Sequence, residues 1–311
     1  MIKKTLNRYE FIWPLLGSIV LWVLIVTVSG KFSMNQLFSS GKLATFALLL
    51  ALAQMIVVTG GDGAIDLSQT YILTLCAYVS SDLMNTNIFL GLLAAVLVGA
   101  LCGLANGLIN IYLKVPAMIT TLATGYIIFT IVLLAAPKMK TLPNADFVAF
   151  INSNWKGFSM LTVICIVVAV LLAALLYKTK YGKQLHAAGQ NRLAAKYTGI
   201  NVNFVVIAAF TLGGALCGFA GVLCGAFIGG AFQDMGSTYF LPSIAAAFVG
   251  GTAAAGGKSN VAGVCLGALM MSFMSTFLNA AHLSPGVQKL ILGTFLVLIL
   301  VASVSNATKK K

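Results

Sequence analysis

Apolar residues gather along this chain in ten runs, at about 11–29, 43–59, 65–81, 88–112, 118–136, 160–177, 203–229, 239–255, 260–281 and 286–304. An α-helix needs about 20 such residues to cross the hydrocarbon of a bilayer. The first, fourth, sixth, seventh and tenth runs are continuous. Glycine and hydroxyl residues dilute the third, eighth and ninth and blur their ends. The pattern predicts an all-α integral membrane fold of about ten transmembrane helices. It forms one transmembrane domain over residues 1–311, without a soluble domain or a linker. Lys3, Lys4 and Arg8 precede the first run, as they would in a signal peptide, but its length and the lack of an A-x-A-like site favour a retained helix.

Two polar intervals interrupt the pattern. One, at about 137–159, holds Pro143, Asp146 and Trp155 and reads as a cap between helices. The other, at about 178–202, divides the chain near its middle. Glycine-rich segments recur at Gly60–Gly63 and Gly250–Gly257, a hint of duplicated halves.

Composition excludes a soluble enzyme. Sixty per cent of the residues are hydrophobic and 8% are charged, against roughly 25% charged in a soluble domain, and the mean hydropathy is +1.01. The net charge of +13 does not mark a nucleic-acid binder, because the basic residues form no single stripe with interleaved aromatics. They sit between the apolar runs. With ten alternating helices and a cytoplasmic N-terminus, one side receives Lys3, Lys4, Arg8, Lys114, Lys178, Lys180, Lys183, Arg192, Lys196, Lys258, Lys309, Lys310 and Lys311. The other receives Lys31, Lys42, Lys138, Lys140, Lys156 and Lys289. Thirteen against six places both termini in the cytoplasm by the positive-inside rule.

The six cysteines all fall within apolar stretches without a CxxC pair, and the two histidines, His186 and His282, are far apart. They read as small buried hydrophobes and as isolated imidazoles, and no metal site is expected.

Four segments carry more specific information. Between Tyr181 and Asn201 the chain is amphipathic and too polar to span. Gly189 separates two helix-forming stretches, and Gly199 can end the second in a left-handed conformation. A short helix–turn–helix on the membrane surface follows, touching either anionic lipid headgroups or another protein. Next, Gly63–Ser68 places Asp66 at the start of an apolar run. A carboxylate there can cap the third helix, with Ser68 supporting the turn, or can contact a solute path. The third segment holds Asn106 in an apolar helix, which requires a partner from another helix. Pro116 and Thr120, Thr121 and Thr124 follow it. These hydroxyls can bond back to helix carbonyls or, at Thr121, line a polar path. The fourth, from Ile244 through Gly250, Gly251 and Gly257 to Gly267, is rich in small residues that let helices approach closely. Its Gly256–Ser259 stretch ends like a phosphate loop, but Thr252 stands where that motif needs glycine.

Together these segments resemble the permeases of ABC importers in the ribose/branched-chain amino acid family. The loop pattern G-x-x-L-x-A-x-G-x-N-x-x-A-A-x-x-x-G-I is matched by Gly182, Leu185, Ala187 or Ala188, Gly189, Asn191, Ala194, Ala195, Gly199 and Ile200. Gln190 and Leu193 stand where the family often has glycine and an acidic residue. Gly63–Ser68 is similar to the family's G-G-I-D-L-S, and Val115–Thr124 to its P-x-F-I-x-T-L-A-T segment.

The resemblance implies a non-catalytic permease subunit in a bacterial inner membrane, importing a monosaccharide such as ribose, xylose or galactose. It implies that the 178–202 loop docks on a separate ATPase subunit, which binds ATP and Mg. An extracytoplasmic binding protein and a second permease chain, identical or similar, complete the implied assembly. Asp66, Ser68, Asn106 and Thr121 are the candidate path residues. Nucleosides and branched-chain amino acids are the alternative solutes within the family. The competing class is an ion-coupled secondary carrier, which would place more ionisable groups in the membrane than this chain does.

Overall fold

The computed structural model describes residues 12–29, 34–155 and 157–308. Lys3, Lys4, Arg8, Lys31, Lys156 and Lys309–Lys311, all part of the charge count above, lie outside the described residues.

Thirteen α-helices follow one another among the described residues: α1 Ile12–Ser29, α2 Met34–Thr59, α3 Gln69–Met84, α4 Ile88–Tyr112, α5 Ala117–Ala135, α6 Ala145–Asn152, α7 Met160–Lys178, α8 Lys180–Gln190, α9 Arg192–Tyr197, α10 Val202–Ile228, α11 Phe240–Val249, α12 Val261–Ala280 and α13 Pro285–Thr308. Asparagine starts many of them. Asn87, Asn144, Asn191, Asn201 and Asn260 each accept a backbone N–H from the first turn of α4, α6, α9, α10 and α12, a cap that contributes about 1 kcal/mol.

Each of the ten apolar runs seeds a helix, but not every helix is of spanning length. Among the described residues, six segments are long and apolar enough to cross a membrane: Gly41–Thr59, Ile88–Tyr112, Ala117–Lys138, Met160–Lys178, Val202–Ile228 and Val261–Ala280. Ile12–Val28, Ser237–Val249 and Pro285–Val301 are shorter apolar helices. The run at 65–81 becomes helical only at Gln69, so α3 has 16 residues. The run at 239–255 yields the 10 residues of α11. At 1.5 Å per residue these rise about 24 and 15 Å, short of the roughly 30 Å hydrocarbon. Residues 65–68 stay irregular ahead of α3, after left-handed backbone that follows α2, and left-handed backbone inside the run at 239–255 ends α11. Gly61, Asp62 and Gly63 have φ of +92°, +57° and +61°, and Gly251, Gly256 and Gly257 lie at +92°, +91° and +72°. Backbone in that region leaves the helix.

The long central helix α2 is the core of the bundle, with Phe46, Leu49, Leu50, Leu52, Met55 and Ile56 fully buried. On one side it meets α3 and α10, which pack with α4; on the other it meets α11 and α12. The tightest seam joins α4 to α10. Ala95, Gly99, Gly103 and Gly107 recur every fourth residue and face Ile207, Phe210, Gly214 and Gly218. A Cβ on Gly103 would collide with the Phe210 carbonyl, and one on Gly214 with the Gly99 carbonyl. Small residues at this spacing let two backbones touch, the packing that works between helices in lipid. The opposite faces of α4 and α7 expose Leu93, Leu97, Leu101, Ile166, Val167, Val170 and Leu171, columns suited to acyl chains rather than water.

The interval at 137–159 folds over one end of the bundle as α6 and a two-strand pair, Asn154–Trp155 with Phe158–Ser159. Lys140 N–H donates to Asp82 Oδ1 and Asn85 Nδ2 to the Leu142 carbonyl, both at 2.9 Å. Helices α8 and α9 sit at the opposite end. The described basic residues divide accordingly: Lys114, Lys178, Lys180, Lys183, Arg192, Lys196 and Lys258 lie at the α8–α9 end, and Lys42, Lys138, Lys140 and Lys289 at the other.

Candidate functional site

The entry into α3 is a buried polar knot. Asp66 is 1% exposed, and Ser68, Asn106 and Thr121 are fully buried. Ser68 donates twice to Asp66 Oδ1, from its N–H at 2.9 Å and its Oγ at 2.6 Å. Asn106 Nδ2, on α4, donates to Ser68 Oγ at 2.8 Å, and its Oδ1 accepts from Thr124 Oγ1 at 2.6 Å. Leu67 N–H donates to Thr121 Oγ1 at 2.9 Å, and that hydroxyl donates on to the Ala117 carbonyl at 2.8 Å. From α2, the Gln54 amide meets both backbone groups of Asp66 at 3.1 Å, in the orientation that pairs oxygen with N–H and nitrogen with carbonyl. These partners let irregular backbone stand inside a bundle, since each of its polar groups would otherwise be orphaned. All four path candidates thus meet in one network, where Asp66 closes the turn ahead of α3 on Ser68, and the first turn of α3 itself receives no side-chain cap. Asp66 Oδ2 is buried without a partner.

A cavity of about 530 Å³ lies on another side of α3, within the size range of small-molecule sites. It runs from the far ends of α12 and α13 (Ser275, Asn279, Gln288, Lys289) to the first turns of α3 (Thr70, Tyr71, Thr74) and α11 (Phe240, Leu241, Pro242). Gln233, Asp234, Ser237 and Thr238 of the α10–α11 connection complete the wall. Tyr71 is braced by Tyr126 and Phe129, with ring centroids 5.9 and 5.7 Å away. Ser237 Oγ donates to Asp234 Oδ2 at 2.9 Å, and Gln288 Nε2 to Asn279 Oδ1 at 2.9 Å. The lining therefore offers hydroxyls, amides, one carboxylate, one ammonium and an aromatic face. None of the four path candidates lines it. The sequence does not mark the cavity as a site, because its residues come from several run ends and share no motif; the polar stretch 233–238 between two apolar runs is the available signal.

At the other end, the matched loop residues divide by exposure. Gly182, Leu185, Ala188 and Ala195 are buried and hold α8 and α9 on the bundle. Helix α8 continues through Gly189, and the break falls at Asn191. A Cβ on Gly189 would strike the Thr59 carbonyl and come 2.5 Å from Gly257 N, so only glycine fits. Asn191, Ala194 and Gly199 are exposed and Ile200 is half-buried; Gly199, at φ +82°, ends α9 in the left-handed region. Leu193 and Tyr197, one turn apart on α9, are 69% and 89% exposed. They form an apolar knob on the same short helix as Arg192 and Lys196, which the sequence pattern had not singled out as a surface.

Hydrophobic helices, two of them of partial length, enclose a polar cavity at one end and seat a surface helix pair at the other: the molecule is a multi-pass membrane permease. The chain belongs to the family described as branched-chain amino acid transport system / permease component, whose profile matches residues 36–300. It is similar to the ribose import permease protein of Escherichia coli K12, 30% identical over 294 residues, covering 91% of this chain and 90% of the relative. The galactose/methyl galactoside import permease protein of the same organism is 28% identical over 335 residues, 99% and 100% of the two chains. Its D-allose transport system permease protein is 27% identical over 307 residues, 95% and 93%. No solved structure matches the chain. The family read from the four motifs is thus borne out.

Proposed function

We propose that the chain is the membrane-spanning subunit of an ATP-driven importer for a monosaccharide of the ribose, galactose or allose kind. The observation that carries this is the conjunction of the family match with a cavity lined by hydroxyls, amides and an aromatic ring, groups that suit a neutral polyhydroxylated solute. Helices α8 and α9 dock on a separate ATPase subunit, which binds ATP with Mg and hydrolyses it. Leu193 and Tyr197 are the anchors, and exposed Lys196 between them favours an acidic contact on the partner.

The cavity faces the outside of a bacterial inner membrane, where a binding protein delivers the solute. Ten helices then alternate across the bilayer, α3 and α11 reaching only part of the way, with both termini in the cytoplasm. A second permease chain, identical or similar, completes the pathway, and access alternates between the two sides. Asp66, Ser68, Asn106 and Thr121 hold the start of α3 beside that path.

The test is to solubilise the chain gently from its native membrane, identify bound ATPase, and measure uptake of labelled ribose, galactose and allose by the reconstituted complex. ATP-dependent uptake of one of them is expected. Proton- or sodium-driven flux through the chain alone would overturn the reading in favour of a secondary carrier.

A further inference from the structure

The two glycine-rich segments meet in space beneath α8. Gly257 N–H donates to the Thr59 carbonyl at 3.0 Å, and a Cβ on Gly256 would collide with Gly61 Cα. The surface helices grip both. Gln190 Nε2 donates to the Gly257 carbonyl at 3.3 Å, and His186 Nε2 pairs with Ser259 Oγ at 3.0 Å. On the other segment, Arg192 Nη1, from α9, lies 2.6 Å from Asp62 Oδ2. Each segment ends at a partial-length helix that lines the cavity: residues 60–68 lead into α3, and 250–260 follow α11.

Asp62 is unusual in where it stands. It is one of three non-glycine residues with positive φ among those described, at +57° between Gly61 and Gly63. Aspartate and asparagine tolerate that conformation better than most side chains, so backbone alone would be served equally by asparagine. The charge is what the Arg192 contact uses. The two side chains are 65% and 29% exposed, and ion pairs so exposed add little to stability. What the pair does is fix geometry, tying the loop before α3 to the same helices that hold the loop after α11.

We propose that Asp62 and Arg192 are positioning residues for transport, a latch through which displacement of α8–α9 reaches both cavity-lining short helices together. This rests on the importer reading above. The latch adds a side-chain tie between α9 and the loop before α3 to the backbone contacts that Thr59 and Gly61 make with the other loop, so that α3 and α11 move as a pair.

The experiment uses the reconstituted importer and reads solute moved per ATP hydrolysed. Asp62→Asn and Arg192→Gln remove the charge while keeping a fitting side chain; Arg192→Lys keeps the charge. Each neutral variant is expected to lower the ratio about fivefold, the low end of site-to-site coupling. The double variant should lose no more than either single one, and Arg192→Lys should recover most of the ratio. Unchanged ratios, additive losses, or loss of bound ATPase in Arg192→Gln alone would overturn the latch. The same variants, in the isolated detergent-solubilised chain, should speed amide hydrogen exchange over residues 60–68; wild-type rates in both would also overturn it. Absence of uptake by the wild-type complex would count against the importer reading alone, and the exchange measurement would still decide the contact.

Discussion

Asp66 works through one oxygen: Oδ1 accepts both donors of Ser68 while Oδ2 has none. The acceptor is therefore what the fold uses. Asp66→Ala leaves a buried N–H and a buried hydroxyl unmatched and is expected to cost about 1–3 kcal/mol, measured by thermal unfolding in detergent. Asp66→Asn keeps an oxygen there and should cost clearly less; equal losses would show that the charge matters instead. This knot was legible in the sequence because Asp66 and Asn106 are polar in apolar surroundings, and such residues must find partners. The cavity wall was not, since Asp234, Ser237 and Gln288 sit at run ends where polar residues are ordinary. Gly189 lies between these cases. Its motif marks a contact surface, but its tight seat on Thr59 and Gly257 depends on long-range folding that spacing does not reveal.

At the scale of elements, the surface helix pair was legible down to its glycine stop, whereas its division into seat and knob was not. A motif records which residues stay, not which way they face. The exposed knob gives a clean test. Tyr197→Glu, at a position 89% exposed, should leave unfolding unchanged while weakening ATPase binding about tenfold or more, as expected of an interface anchor. Retained affinity would move the docking face away from α9. The runs at 65–81 and 239–255 counted as spans by composition, yet α3 and α11 fall short because residues 65–68 stay in the polar knot outside the helix and left-handed Gly251 breaks the second run. Hydropathy averages over such a break, and only backbone geometry shows it.

For the whole molecule, the cavity and the knob lie at opposite ends, so their accessibility should separate by side of the membrane. Thr238→Cys is expected to react with an impermeant maleimide added outside intact cells, and Leu193→Cys only in inverted vesicles. Background is low, because Cys76, Cys165, Cys217 and Cys224 are buried and Cys102 and Cys265 are half-buried. Labelling of both from one side would overturn the ten-helix arrangement.

The seam between α4 and α10 carries a different kind of consequence. Where Gly99, Gly103, Gly214 and Gly218 touch backbone to backbone, there is no side chain to trade and no room to add one. Inherited change at those positions is closed off, and must accumulate elsewhere. The 27–30% identity with the sugar permeases should therefore be spread unevenly. It should be dense along this glycine ladder and the loops beneath α8, and sparse on the lipid-facing columns of α4 and α7, where one aliphatic residue serves as well as another.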